Sequence, residues 1–253
     1  RYFDLKNFTE PFRVIAGAVQ SFSLIGRLRP NIVFSKGGFV SVPVVLGAAL
    51  RGVPVVMHES DITPGLANKL CKPFAKAICT TFPECAKQLG PKAVQTGTPL
   101  RALLFSGQRE RGLALTGFDG KKPILMMIGG SLGAQSVNAV LRQALPALTA
   151  RFDVLHVCGR GNLAPECESI PGYRQFEYLS EELPDAYACA DVLLSRAGSN
   201  SLSELMALCK PALLIPYHSG RGDQVLNANS LKARGLAHVM PQSELTAESL
   251  VAA

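Results

Sequence analysis

The chain has 253 residues, room for two domains, and 47% of them are hydrophobic, enough for sizeable cores. Its net charge of +7 falls within residues 1–100, where 12 Lys and Arg stand against five Asp and Glu; residues 101–253 are neutral. No apolar run nears the ~18 residues of a membrane span, no secretory leader is visible, and seven cysteines without a C-x-x-C pair argue against a disulfide frame or zinc site. The basic first part asks for an anionic partner. Nucleic acid is not expected, because no RNA-binding or zinc-finger signature occurs and no aromatic residues interleave a basic stripe. An anionic membrane surface is the other candidate.

In chain order, Phe8, Phe12, Ile15, Val19 and Phe22 recur at helical spacing, which predicts an amphipathic helix interrupted early by Pro11. Its apolar stripe either packs on a sheet or touches a membrane. Asn31–Phe34 reads as a strand, Ser35–Ser41 as a glycine-rich turn, and Val42 to Leu50 as a helix. Val53 to Met57 is the next strand. After it come His58-Glu59-Ser60-Asp61 and then Pro64 to Lys69, polar groups at the position where doubly wound sheets bind ligands. His58 with Glu59 reads as a hydrogen-bonded pair or as a catalytic one. Strands at Ala77–Thr80 and Ala93–Thr96 close this half.

Residues 103–122 read as a connection with a short helix. Ile124–Ile128 is a buried strand, followed by Gly129-Gly130-Ser131-Leu132-Gly133 and a helix to about Thr149. Such a turn lets a phosphate approach backbone N–H groups. It matches neither the P-loop nor G-x-G-x-x-G. Strands follow at Phe152–Val157 and Tyr173–Leu179, with a short helix at Leu183–Cys189. Val192–Leu194 then breaks at Arg196-Ala197-Gly198, and Ser199 or Asn200 is the expected helix cap. That unit brings a helix N-terminus and the Glu204 carboxylate together: the first suits phosphate, the second a ribose diol. The alternative is an ordinary βα unit with a solvated Glu. A strand at Ala212–Ile215, a helix from Gln224 to Arg234 and a strand at Ala237–Met240 follow. The alternation predicts an α/β protein of two Rossmann-like parallel-sheet domains, 1–98 and 99–253, facing across a cleft. No Asp-x-Asp pair and no clustered His, Cys and Asp set occurs, so neither a metal nor another cofactor is expected.

Six ordered motifs together resemble the MurG family of peptidoglycan N-acetylglucosaminyltransferases. They are Ser35–Pro43, His58–Lys69, Gly97–Arg101, Gly129–Ala134, Ser195–Glu204 and Asp223–Ala228. The resemblance implies the two-domain GT-B fold. It implies inverting, metal-independent transfer of GlcNAc from UDP-GlcNAc to undecaprenyl-diphospho-MurNAc-pentapeptide, by a peripheral enzyme on the cytoplasmic face of the bacterial plasma membrane. It also implies site residues. Ser131 matches a phosphate-turn serine, Arg101 a donor-site arginine, and Asn68 an asparagine of the cleft. Ser199, Asn200, Ser201, Leu202, Ser203 and Glu204 match the nucleotide-binding segment, with Glu204 on the ribose, and Gln224 matches a glutamine that holds sugar hydroxyls. Asp61 and Asn227 are further candidates; Asp61 stands where many members have Asn. The family's opening Gly-Gly-Thr-x-Gly-His turn, thought to carry the catalytic histidine, has no counterpart in these residues. The expectation is an incomplete N-terminal domain, a shortened C-terminus, no nameable catalytic base apart from His58, and a chain that binds UDP without making lipid product. Two alternatives stand beside this: another lipid-directed GT-B enzyme, and a non-catalytic sugar-nucleotide-binding subunit.

Overall fold

The computed structural model describes residues 10–130, 133–218 and 221–253, with side chains from Arg13 onward. The chain divides into two compact units, Arg1–Thr98 and Pro99–Ala253.

The first unit carries a parallel sheet in the order β1-β2-β3-β4, formed by β1 (Val33–Ser35), β2 (Val55–Glu59), β3 (Ala77–Thr80) and β4 (Ala93–Gln95). Val55, Met57 and Ile78 are completely buried, as expected where helices cover both faces of a parallel sheet. Its helices are α1 (Glu10–Leu28), α2 (Ser41–Leu50), α3 (Leu66–Cys71) and α4 (Pro83–Leu89).

The α1 stripe expected from periodicity is not what the helix buries. Phe8 and the side chain of Phe12 lie outside the described residues. Ile15 and Val19 are 62% and 66% exposed. Instead α1 meets α2 through small residues: a Cβ at Gly47 would lie 2.8 Å from the Phe22 backbone nitrogen and 2.9 Å from Ser21 Cβ, and one at Gly17 would touch Pro43. Backbones that close leave no room for a larger side chain. Arg51 locks the crossing, its Nε donating to Phe22 O at 3.1 Å and its guanidinium lying 3.7 Å over the Phe22 ring.

The second unit carries a six-stranded parallel sheet in the order β10-β9-β8-β5-β6-β7. The strands are β5 (Ile124–Ile128), β6 (Asp153–Val157), β7 (Tyr173–Phe176), β8 (Val192–Ser195), β9 (Ala212–Leu214) and β10 (His238–Val239). Helices α5 (Arg109–Thr116), α6 (Gln135–Arg151), α7 (Leu183–Cys189), α8 (Ser199–Ala207), α9 (Asp223–Ala233) and α10 (Ala247–Ala252) connect or follow them. On α6, Val137, Leu141, Leu145 and Leu148 form one buried row that packs with Met127, Val154 and Leu250 in the core. Helix α8 stops before Cys209, which is exposed and holds a left-handed φ of 51°.

Candidate functional site

The second sheet reverses direction beside β5. The chain runs β5-β6-β7 outward on one side, then returns to β8-β9-β10 on the other. Open parallel sheets bind ligands at the carboxyl ends of the strands flanking such a switch. Here those ends are joined: the Ser195 hydroxyl donates to Ile128 O at 3.1 Å. From β5 leaves the turn Gly129–Gly133. Two of its glycines are required by space, since a Cβ at Gly129 would lie 2.7 Å from Ala134 N and one at Gly133, where φ is +72°, would lie 2.1 Å from Cys158 O. Ser131, the expected phosphate-turn serine, lies outside the described residues.

From β8 leaves Arg196-Ala197-Gly198, and α8 begins at Ser199. The cap is Gly198 in extended conformation, one residue earlier than expected, and it has no side chain of its own to close the helix end. Leu202 N–H bonds to Gly198 O at 2.9 Å, while the first-turn N–H groups of Ser199, Asn200 and Ser201 have no acceptor within the helix. Asn200 is exposed, and Ser199 and Ser201 half-buried. The Leu202 side chain is fully buried. Ser203 is buried with its hydroxyl donating back to Ser199 O at 2.8 Å, the i−4 bond of a helical serine.

Glu204, half-buried one turn further on, accepts at Oε2 from the Tyr187 hydroxyl at 3.0 Å. Tyr187 is 1% exposed, and burial first, then the Glu204 charge, push its pKa far up; the Arg101 charge acts in the opposite sense. Arg101 itself is exposed. Gln224, in the first turn of α9, accepts from Tyr217 N–H at 3.0 Å through Oε1, which leaves its Nε2 donors for an oxygen ligand. Asn227 is completely buried, and its Nδ2 braces Ala197 O at 3.4 Å, so it supports the turn.

Other braces escaped the sequence reading. Arg196 Nη1 donates to Ile215 O at 3.0 Å and to Gln242 Oε1 at 2.7 Å, and Nη2 to Ser136 Oγ at 3.2 Å. Behind the glycine turn runs a buried relay. Asn138 Nδ2 donates to Cys158 O at 2.8 Å, so its Oδ1, 3.0 Å from His156 Nε2, accepts from that ring nitrogen. His156 Nδ1 is then the acceptor for the Tyr173 hydroxyl at 2.8 Å. Burial, and next the nearby Arg142 charge, push the His156 pKa down to about 3. A cavity of about 910 Å³ lies elsewhere, between the C-terminal ends of α8 and α9, and buried Leu202 lines it.

In the first unit, Glu59 organises the loop after β2. Its carboxylate accepts from Gly65 N–H at 2.8 Å, Asn68 Nδ2 at 2.8 Å and Asp61 N–H at 3.3 Å. Asn68 is 4% exposed, and its Nδ2 also donates to His58 O at 3.2 Å. Among the described residues its Oδ1 has no hydrogen-bond partner, and it sits where a Cβ at Gly37 would be 3.1 Å away. Asp61 is half-buried. His58 is held as a latch. It is 1% exposed, Nε2 lies 3.0 Å from Gly97 O, and Nδ1 lies 3.3 Å from Ser60 Oγ. A carbonyl only accepts, so Nε2 carries the proton and Nδ1 accepts from Ser60. Neither nitrogen remains for a substrate. Among the described residues no group of three His, Cys, Asp or Glu could hold a metal ion.

Two parallel α/β units, one with a glycine-rich turn and an open helix end at its switch point, define a nucleotide-sugar glycosyltransferase fold. Comparison with known proteins narrows the class. Residues 1–80 match the glycosyltransferase family 28 N-terminal domain and residues 124–253 the family 28 C-terminal domain. The chain belongs to glycosyltransferase family 28. Its relatives include UDP-N-acetylglucosamine--N-acetylmuramyl-(pentapeptide) pyrophosphoryl-undecaprenol N-acetylglucosamine transferase of Geobacillus thermodenitrificans, 53% identical over 256 residues that cover 100% of this chain and 72% of that protein. The protein of the same name from Clostridium botulinum is 51% identical over 254 residues, 99% of this chain and 72% of its own length. The crystal structure of Acinetobacter baumannii MurG superposes with a TM-score of 0.77 at 25% identity, covering 100% of this chain and 71% of that one. UDP-GlcNAc 2-epimerase from Neisseria meningitidis, solved with UDP-GlcNAc, shares the fold at a TM-score of 0.66 and 12% identity, over 100% of this chain and 74% of its own.

Proposed function

We propose that this enzyme transfers N-acetylglucosamine from UDP-N-acetylglucosamine to the undecaprenyl-diphosphate-linked MurNAc-pentapeptide, with inversion and without a metal ion. Relatives at 51–53% identity bear that name, and the observation that carries the donor half is the switch point, where the Gly129–Gly133 turn and the open α8 N-terminus leave the adjacent strands β5 and β8, with Glu204 on that helix. An acceptor hydroxyl forms the new bond to the anomeric carbon and loses its proton to a base. The anomeric bond to the UDP diphosphate breaks on the opposite face, and the electron pair leaves with UDP. Charge grows on the departing diphosphate, where helix-end N–H groups and the dipole of α8 stabilise it. Glu204 accepts from the ribose diol, and Gln224 Nε2 donates to a sugar oxygen. Exposed Arg101 adds positive charge on this unit. Asn68 offers its unpartnered Oδ1 to a substrate donor.

The acceptor's lipid and the +7 of residues 1–100 support peripheral attachment to an anionic membrane on the cytoplasmic face. No helix among the described residues is long and apolar enough to cross a membrane.

Calorimetry with UDP tests the donor reading. Glu204→Ala removes charge-assisted bonds worth roughly 1.5–3 kcal/mol each, so affinity falls about 10- to 100-fold. EDTA leaves UDP binding unchanged. An unaltered affinity in the variant defeats the ribose role, and product analysis with alternative lipid acceptors separates this enzyme from other lipid-directed transferases.

A further inference from the structure

Glu204 is a flexible side chain on a half-exposed helix face, yet a ribose ligand has to be held in one rotamer. The structure supplies the hold. The Tyr187 hydroxyl donates to Glu204 Oε2 at 3.0 Å, and among the described residues Glu204 is its one partner. The ring is 1% exposed, so the hydroxyl cannot swing into water. Helix α7, which carries it, is equally fixed. A Cβ at Gly107 would lie 2.0 Å from Pro184 O and one at Gly112 2.3 Å from Asp185 O, so two stretches of backbone press on the first turn of α7. The Asp185 carboxylate accepts from Gln108 N–H at 2.7 Å and Arg111 Nε at 3.1 Å.

We infer that Tyr187 is a positioning residue that sets ribose selectivity: by occupying Oε2 it fixes the Glu204 carboxylate and reserves Oε1 for the 2′- and 3′-hydroxyls. This rests on Glu204 as the ribose ligand. A carboxylate oxygen has room for two donors, and a held one discriminates between a diol and a single hydroxyl. Released, the carboxylate turns to water or to whichever hydroxyl is present, and selectivity falls further than affinity. Pre-organised polar groups give specificity because the wrong ligand leaves them unpaired.

The experiment is calorimetry of UDP and 2′-deoxy-UDP with the wild-type protein, Tyr187→Phe and Glu204→Ala. Phe keeps the buried ring and removes only the hydroxyl. Both ligands draw on the same folded population, so the ratio of their affinities is unaffected by any loss of stability. The wild type prefers UDP by about tenfold or more, the expected worth of one charged hydrogen bond. Glu204→Ala erases the preference. Tyr187→Phe cuts it to about threefold or less while UDP affinity drops only severalfold. If Glu204→Ala erases it and Tyr187→Phe leaves it intact, the positioning role is overturned and the ribose reading stands. If Glu204→Ala leaves it intact, the ribose reading fails and takes this inference with it.

Discussion

Gly133 and Cys158 fit against each other with no space for one more carbon: a Cβ on the glycine would lie 2.1 Å from the carbonyl oxygen of the cysteine. That oxygen cannot retreat freely, because Asn138 Nδ2 holds it at 2.8 Å. Gly133→Ala therefore combines a collision with a left-handed φ that an L-residue resists. UDP affinity is expected to fall more than tenfold, with a lower thermal midpoint. Wild-type binding by this variant would show that the glycine turn is no part of the donor site.

The relay behind that turn gives a pH signature. His156 titrates near 3 in the folded protein against an ordinary value of 6.5. Between those values the unfolded chain binds the extra proton and the folded one does not, so stability rises with pH. The contribution is complete above pH 6.5 and is lost as pH falls toward 3. At pH 5 the loss is about 2 kcal/mol relative to pH 7. Urea denaturation at both pH values measures it, and His156→Gln should flatten the slope by that amount.

Glu59 is expected to matter for the fold of its loop and not for the nucleotide. Removing its carboxylate leaves the Gly65 N–H and Asn68 Nδ2 donors without their acceptor, at about 1–3 kcal/mol for each buried group. Glu59→Ala should lower urea stability by roughly 2–4 kcal/mol and leave UDP affinity within twofold. A tenfold loss of UDP affinity would contradict this separation.

For membrane attachment the side chains to change are Ile15 and Val19, which water reaches, and not Phe22, which is half-buried beneath Arg51. Ile15→Ser with Val19→Ser should weaken binding to vesicles rich in anionic lipid without lowering stability, and salt should weaken it further. Unchanged vesicle binding would remove α1 from the attachment surface.

The parallel strands were readable because both their faces are covered: Ile124 to Met127 and Leu193 to Leu194 are continuous apolar runs and are all buried. The turns were readable because glycine punctuates them. Helix α4 was missed, since its seven residues bury only Cys85 and Leu89 and show no stripe. The α1 stripe did not mark the contact with α2, because periodicity reports apolar character, whereas this contact is made by Gly17, Ser21 and Gly47. Glu204 stood out beside its helix start, but its partner Tyr187 is 17 residues away on another helix. The partners of His156 and Arg196 are likewise brought in by tertiary packing, which no local spacing encodes.

The left-handed kink that ends α8 also makes the protein easy to tag. Five of the seven thiols are buried and Cys79 is half-buried, leaving Cys209 the one exposed. Burial holds the thiols of Cys71 and Cys158 above their ordinary range, pushes Cys85 up to about 12 and Cys189 to about 11, and the thiolate is the species that reacts. A maleimide dye at neutral pH should mark Cys209 first. It would sit beyond the last turn of a nine-residue helix, roughly 14 Å from the end proposed to receive the nucleotide, close enough for its fluorescence to respond to ligand and far enough not to block it.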